Sequence, residues 1–263
     1  MSNNKTTGGF SFVVSFLAIL ICLGIGYVIF AFILGSPSNF DQDGHPHNFL
    51  GQMYKGGIIV PFLLGFFLTV ITFAIERFIT IMKATGRGNV SAFVAKIKSL
   101  ISSGDLDSAI AECDKQKGSL GNVVKEGLLK YQFVQNDPHM DKEAKVAAIS
   151  KALEEATALE LPMLGKNMVI ISTMASIGTL TGLIGTVVGM IRAFAALAQA
   201  GTPDTAALAT GISEALINTL VGIGTSAFAI IFYNIFSNRT DQLTYAMDEA
   251  GFTIIQEFQS SGK

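Results

Sequence analysis

Four long stretches of the chain carry no charge: residues 10–34, 58–75, 168–191 and 215–238. The second continues past Glu76 and Arg77 to residue 82. A hydrocarbon core of about 30 Å takes about 20 helical residues, so each stretch is long enough to cross a bilayer. The first could be a signal sequence, but it exceeds the usual apolar region of one, and the following GSPSNF offers no small-residue cleavage pattern; a retained helix is favoured. Between the second and third stretches, apolar residues return at helical spacing: Phe93, Ile97, Leu100 and Ile101, then Ile110, then Val123, Val124, Leu128 and Leu129. They predict amphipathic helices broken at SSGD, KGSLG and NDPH. The third stretch extends backward into KVAAISKALEEATALELPMLGKN and the fourth forward into NRTDQLTYAMDEAGFTIIQEF. Both are expected to project well beyond the membrane, the former with a kink near Pro162. After the break at Gly201, Thr202, Pro203 and Asp204 suit the cap and first turn of the last helix. The last two spans then form an antiparallel hairpin.

Composition supports the same class. Half of the residues are apolar, only 14% are charged, and mean hydropathy is +0.50. The expected fold is an all-α integral membrane protein with four transmembrane helices and long helices reaching into the cytoplasm. Twelve of the 18 lysines and arginines lie in residues 83–166, against Lys55 alone in 36–57 and none in 199–205. Although 11 acids nearly match them, Lys83, Arg87 and Lys166 flank the spans, and the positive-inside rule makes this middle segment cytoplasmic. Four spans put both termini there too, in agreement with Lys5 and Arg239. The plan is thus a cytoplasmic tail (1–9), a first span (10–34), a periplasmic loop (35–57), a second span (58–82), a cytoplasmic helical domain (83–166), a transmembrane hairpin (167–236) and a cytoplasmic C-terminal helix (237–263). A net charge of −2 without basic clusters interleaved with aromatics excludes a nucleic-acid groove. Cys22 and Cys113 fall in different compartments, which argues against a disulfide.

One carboxylate, Glu214, stands near the start of the fourth span. An ionisable group beside hydrocarbon costs roughly 2.5 to 3.5 kcal/mol on insertion scales, so its presence is a functional hypothesis. On a helical wheel Ser172, Ser176, Thr179 and Thr186 share one side of the third span, while Glu214, Asn218 and Thr225 share a face of the fourth; Thr219 lies about 140° from Glu214. Such faces suggest a hydrated path, or hydroxyls bonded back to their own helix or a neighbour. Gly178, Gly182, Gly185 and Gly189, with Gly222 and Gly224 opposite, predict close helix packing. Arg192 and Glu214 should lie at similar depth and could pair. In the outer loop, Asp41, Asp43, His45 and His47 match no strong ligand spacing and read as a solvated loop, so no metal is assigned. Glu76 and Arg77 are expected at the inner headgroup boundary. No P-loop, G-x-S-x-G, H-E-x-x-H or cysteine cluster is present, so neither an enzyme activity nor a cofactor is expected.

The segments GLIGTVVGMIRAF (182–194) and LATGISEALINTLVGIGTSAFAIIFYN (208–234) resemble the MotA/TolQ/ExbB proton-channel family, and within it the ExbB/TolQ branch. The middle GDLDSAIAECDKQKGSLGNVVKEGL is similar to the family's cytoplasmic domain, so the resemblance runs from about residue 58 toward the C-terminus and leaves out 1–57. It implies a bacterial inner-membrane subunit that forms a homo-oligomer, pentameric in plan, around the single-span helices of an ExbD- or TolR-like partner, with a TonB-like protein as a further partner. Ion flow, expected to be of protons, would drive one subunit type against the other and transmit proton motive force to outer-membrane transport or envelope maintenance. Thr186, Thr219 and Glu214 match the family's pore threonines and pore carboxylate. The proton-binding aspartate would sit on the partner, in keeping with four spans that hold no aspartate. Two departures stand out: the first span is additional to the three-helix ExbB plan, four being the MotA plan, and Asn218 stands where many relatives carry alanine. A flagellar or gliding stator subunit, or a passive membrane scaffold, are the competing readings.

Overall fold

The computed structural model describes residues 6–42, 44–199 and 205–260. The extreme N-terminal tail, Asp43 of the outer loop, and the Gly201 turn with Thr202, Pro203 and Asp204 lie outside the described residues. The elements are α1 (Thr6–Val28), α2 (Phe49–Lys55), α3 (Val60–Thr85), α4 (Val90–Ser102), α5 (Leu106–Gln116), α6 (Gly118–Gln135), α7 (Lys142–Gly165), α8 (Met168–Gln199) and α9 (Thr205–Ser260). No β-strand occurs among the described residues. Four helical stretches are long and apolar enough to cross a membrane. Helices satisfy every backbone group internally, which hydrocarbon demands of any spanning segment. The chain divides into two compact units, one of residues 1–75 and 167–234, the other of 76–166 and 235–263.

In the first unit, glycines set helix proximity. A methyl group at Gly26 of α1 would fall 2.6 Å from Gly65 N and 2.8 Å from Pro61 O of α3, so the two backbones are almost in contact. The α8–α9 hairpin closes in the same way: a methyl group at Gly222 would lie 2.7 Å from Gly178 O and 2.8 Å from the Gly182 Cα. Gly224, by contrast, faces open space, so only Gly222 of that pair belongs to the seam. The segment joining the first two spans is more ordered than a solvated loop. Asn39 is buried and donates to the carbonyls of Ile33 (2.7 Å) and Leu34 (3.0 Å), which end the π-helical last turn, Ile29–Leu34, of the first span. It accepts from Asn48 Nδ2 (2.9 Å), while Asn48 Oδ1 caps α2 by accepting from Gly51 N. Tyr54 of α2 stacks on Phe30 with centroids 4.7 Å apart. This short helix has no apolar period of its own in the sequence.

The second unit is built by α4–α7 with the ends of α3 and α9. Phe93, Ile97 and Ile101 of α4 and Val123, Val124 and Leu128 of α6 are buried, whereas Leu129 is exposed; Tyr131 and Val134 complete the α6 face instead. Tyr131 packs edge-on against Phe258 of α9 at 4.8 Å. Asn89, Asp105 and Asp141 cap α4, α5 and α7 by accepting from backbone N–H groups three residues on. The α5–α6 junction turns on a single residue, Lys117, at φ +59°.

α7 runs through Pro162 to Gly165, and the helix breaks four residues beyond the proline, at Lys166–Asn167, with Asn167 at φ +61°. Arg77 is more than an ordinary boundary charge. It is fully buried, paired with Glu76 through Nε (2.7 Å) and Nη2 (2.6 Å), and its Nη1 donates to the carbonyls of Met163 and Leu164 at 3.2 Å. The guanidinium thereby satisfies carbonyls in the last turn of α7, a helix end that would otherwise leave acceptors unpaired.

Candidate ion pathway

The α8–α9 hairpin places two hydroxyls face to face. Thr186 Oγ1 lies within hydrogen-bond reach of Thr219 Oγ1 and of Gly182 O (3.2 Å), and Thr219 Oγ1 within reach of Ala215 O (3.2 Å), so the two hydroxyl protons are shared among three alternative acceptors. Each hydroxyl has one proton and two lone pairs, so the pair keeps spare capacity for water or a passing proton. Both side chains are partly exposed. Their approach depends on the small residues around them: a methyl group at Gly182 would meet Asn218 O at 3.0 Å, and one at Gly189 would meet Ala215 N and Gly211 O at 2.9 Å. Gly185 is filled by the Asn218 side chain, and Gly178 lies under Ser226 Oγ at 2.8 Å.

Toward the start of α9, Arg192 Nη1 donates to Glu214 Oε1 at 2.6 Å. The arginine side chain is 54% exposed and that of Glu214 12%, so the carboxylate is the sheltered member. Gly57, just before α3, lies against the same carboxylate oxygen.

The structure divides the face that the wheel drew through Glu214, Asn218 and Thr225. Asn218 and Thr225 are 1% exposed and point into the unit. Asn218 Nδ2 donates to Gly56 O (2.9 Å) and Thr225 Oγ1 to Val221 O (2.9 Å). These two side chains thus face the interior of the unit, while Glu214 on the same wheel face meets Arg192. Thr219, which the wheel set apart, is the residue that meets Thr186. Thr179 sits farther along the seam, donating to Ser226 Oγ at 2.8 Å, and Ser172 bonds back to Val169 O at 3.0 Å. Ser226 was not singled out by sequence, nor was Gly211, where a methyl group would lie 2.7 Å from the Ala193 Cβ. The small pair Gly211 and Ala215, four apart, could have pointed to it. The Gly56–Gly57 contact had no local signal beyond two adjacent glycines ahead of a span.

Four membrane-length helices, a glycine-packed hairpin and a threonine pair within its seam define a polytopic membrane protein with a polar line between two spans. Comparison with known proteins is consistent with that class. The family model of the MotA/TolQ/ExbB proton channel family matches residues 116–249, and the chain belongs to that family. It is 30% identical over 138 residues to the Tol-Pal system protein TolQ of Pseudomonas aeruginosa, covering 52% of this chain and 58% of that protein. It is 34% identical over 87 residues to the biopolymer transport protein ExbB of Salmonella typhimurium (33% of this chain, 36% of the other). The same identity over 87 residues holds for a putative ExbB-like protein of Synechocystis (32% and 41%). These similarities place the chain on the ExbB/TolQ branch, a channel and transport-energising class rather than an enzyme class. In each case the matched region spans less than two thirds of the relative's length. The family match takes in α6, α7, α8 and α9 as far as residue 249, and leaves out α1 to α4 and all but the last residue of α5.

Proposed function

We propose that the chain is an ion-channel-forming motor subunit that uses proton motive force across a bacterial inner membrane to energise outer-membrane transport or envelope maintenance. It works as a homo-oligomer of pentameric plan around an ExbD/TolR-like single-span partner, with both termini cytoplasmic and a TonB-like protein or an envelope complex downstream. Thr186 and Thr219 form the polar wall of the pathway and Glu214, paired with Arg192, its outer-end carboxylate. The observation that carries this reading is the meeting of Thr186 with Thr219 across a glycine-packed seam between two mainly apolar helices. A hydroxyl pair there, with unused lone pairs, suits relay of a proton through ordered water. The family resemblance implies that the proton-binding aspartate lies on the partner helix, in keeping with the absence of aspartate from residues 10–34, 58–82, 168–191 and 215–238.

The test is ion flux in liposomes containing the protein with its co-purified small partner. Thr186→Ala combined with Thr219→Ala should abolish gradient-driven proton flux while the complex assembles as before. Flux equal to that of the native complex in the correctly assembled double variant would refute the assignment of the pathway to these threonines. Loss of assembly in both Thr186→Ala/Thr219→Ala and Glu214→Ala would instead favour a scaffold.

A further inference from the structure

We propose that Asn218 and the Gly56–Gly57 turn are positioning elements for the Glu214 carboxylate, an inference that rests on Glu214 belonging to the ion pathway. Asn218 stands one helical turn after Glu214 on the same face of α9. Its amide donates to Gly56 O at 2.9 Å and ties α9 to the backbone that opens α3. The next residue, Gly57, has φ +77°, a left-handed conformation open to glycine at little cost. A Cβ there would fall onto Glu214 Oε1 and come within 3.7 Å of Arg192 Nη1. The bare Cα of Gly57 is thus a wall against which the carboxylate rests while Arg192 holds the same oxygen at 2.6 Å. Asn218 fixes that wall, since Gly56 and Gly57 move as one turn.

Two details separate this arrangement from an incidental helix contact. Asn218 Oδ1 is buried without a hydrogen-bond partner, a penalty that an apolar side chain at this position would remove. The amide is also received by a dedicated recess, because Gly185 of α8 leaves room where any side chain would strike the Asn218 Cβ and Cγ. A contact retained at that cost, one turn from the paired carboxylate, is explained by what its N–H group holds in place. The described cationic group paired with Glu214 is Arg192, and the backbone of Gly57 lies against the same carboxylate oxygen.

The experiment uses the full chain with its co-purified partner in liposomes and reads Glu214 directly, as its rate of modification by a hydrophobic carbodiimide followed by mass spectrometry. The exposed Glu155 serves as reference. Asn218→Ala, which only removes atoms, and Gly57→Ala, which pushes on the carboxylate, should each change the Glu214 labelling rate by about fivefold or more, with Glu155 unaltered. Gly44→Ala controls for backbone strain: Gly44 has φ +76° with open space around it, and its variant should label as the native protein does. Shortening the acid, Glu214→Asp, should restore flux to Gly57→Ala, because a retracted carboxylate clears the added methyl group. Native labelling rates in both Asn218→Ala and Gly57→Ala would overturn the inference, as would a Gly57→Ala defect that Glu214→Asp leaves unchanged. Native flux in Glu214→Ala would instead remove the underlying reading of the pathway, whatever the labelling shows.

Discussion

Replacing Arg77 by methionine removes a fully buried guanidinium but keeps much of the aliphatic stem. The two α7 carbonyls it serves, Met163 O and Leu164 O, then have no guanidinium donor, whereas Glu76, 38% exposed, can rehydrate. Leaving a buried acceptor unsatisfied costs about 1 to 3 kcal/mol, so two of them total about 4 kcal/mol. Part of this is offset because a buried charge no longer has to be desolvated, which leaves a net loss of about 3 kcal/mol. For a unit of this size that corresponds to a fall in Tm of about 10 °C. Arg77→Lys keeps the charge but lacks the planar fork that reaches Glu76 and the α7 carbonyls together, so it should lose about half as much. The assay is thermal unfolding of the detergent-purified protein followed by far-ultraviolet circular dichroism, with limited trypsin digestion at the exposed Lys166 as a local probe. Faster cleavage there is expected in Arg77→Met, since Lys166 directly follows the last turn of α7. A Tm unchanged or raised in Arg77→Met would refute the reasoning, because it would mean that relief of desolvation outweighs the two carbonyls.

Burial, with Asp114 adding in the same direction, pushes the Cys113 thiol up to about 12, so native protein at pH 8 should resist iodoacetamide at this position and react only once unfolded, as read by peptide mass spectrometry. Gly222→Leu should prevent the α8–α9 hairpin from closing and abolish assembly, while Gly224→Ala, facing open space, should stay within about 0.5 kcal/mol of the native stability; detergent gel filtration and melting check both. Lys96 and Lys115 hold the Glu112 carboxyl below its ordinary value of 4.5, so its contribution is whole above that pH and is lost as the pH falls through the lowered value. Acid titration of melting temperature should be flatter below pH 4.5 in Glu112→Gln.

Much of the architecture is legible along the chain. Long uncharged runs dictate spanning helices because hydrocarbon admits few other backbone states, and the breaks at Asp105, Lys117 and Asp141 are written in capping and turn residues. The glycine seam was equally visible, since small residues four apart lie on one face of a helix. Periodicity failed where the outcome depends on what lies opposite. The segment around Pro162 is one case: α7 continues past it, with its final carbonyls held by Arg77, a partner 86 residues away in sequence. A hydropathy window marks Arg77 only as a charge at the end of a span, because it carries no information about a remote helix end.

The pathway residues show the same division. A wheel assigns angles around a single helix, and on that basis Asn218 and Thr225 belonged with Glu214 while Thr219 did not. Thr186 and Thr219 came from family resemblance, and their meeting required the hairpin geometry that the glycines permit. By itself the sequence determined the four long apolar helices, the breaks in the segment between the second and third of them, and which family the chain belongs to, because those properties rest on local hydrophobicity, capping and motif; the short α2 left no such trace. The tertiary structure alone decided that Asn218 turns inward to Gly56, that Gly57 bears on Glu214, and that Arg77 closes α7, because each of these is a hydrogen bond or a steric contact between segments whose separation along the chain leaves no periodic trace.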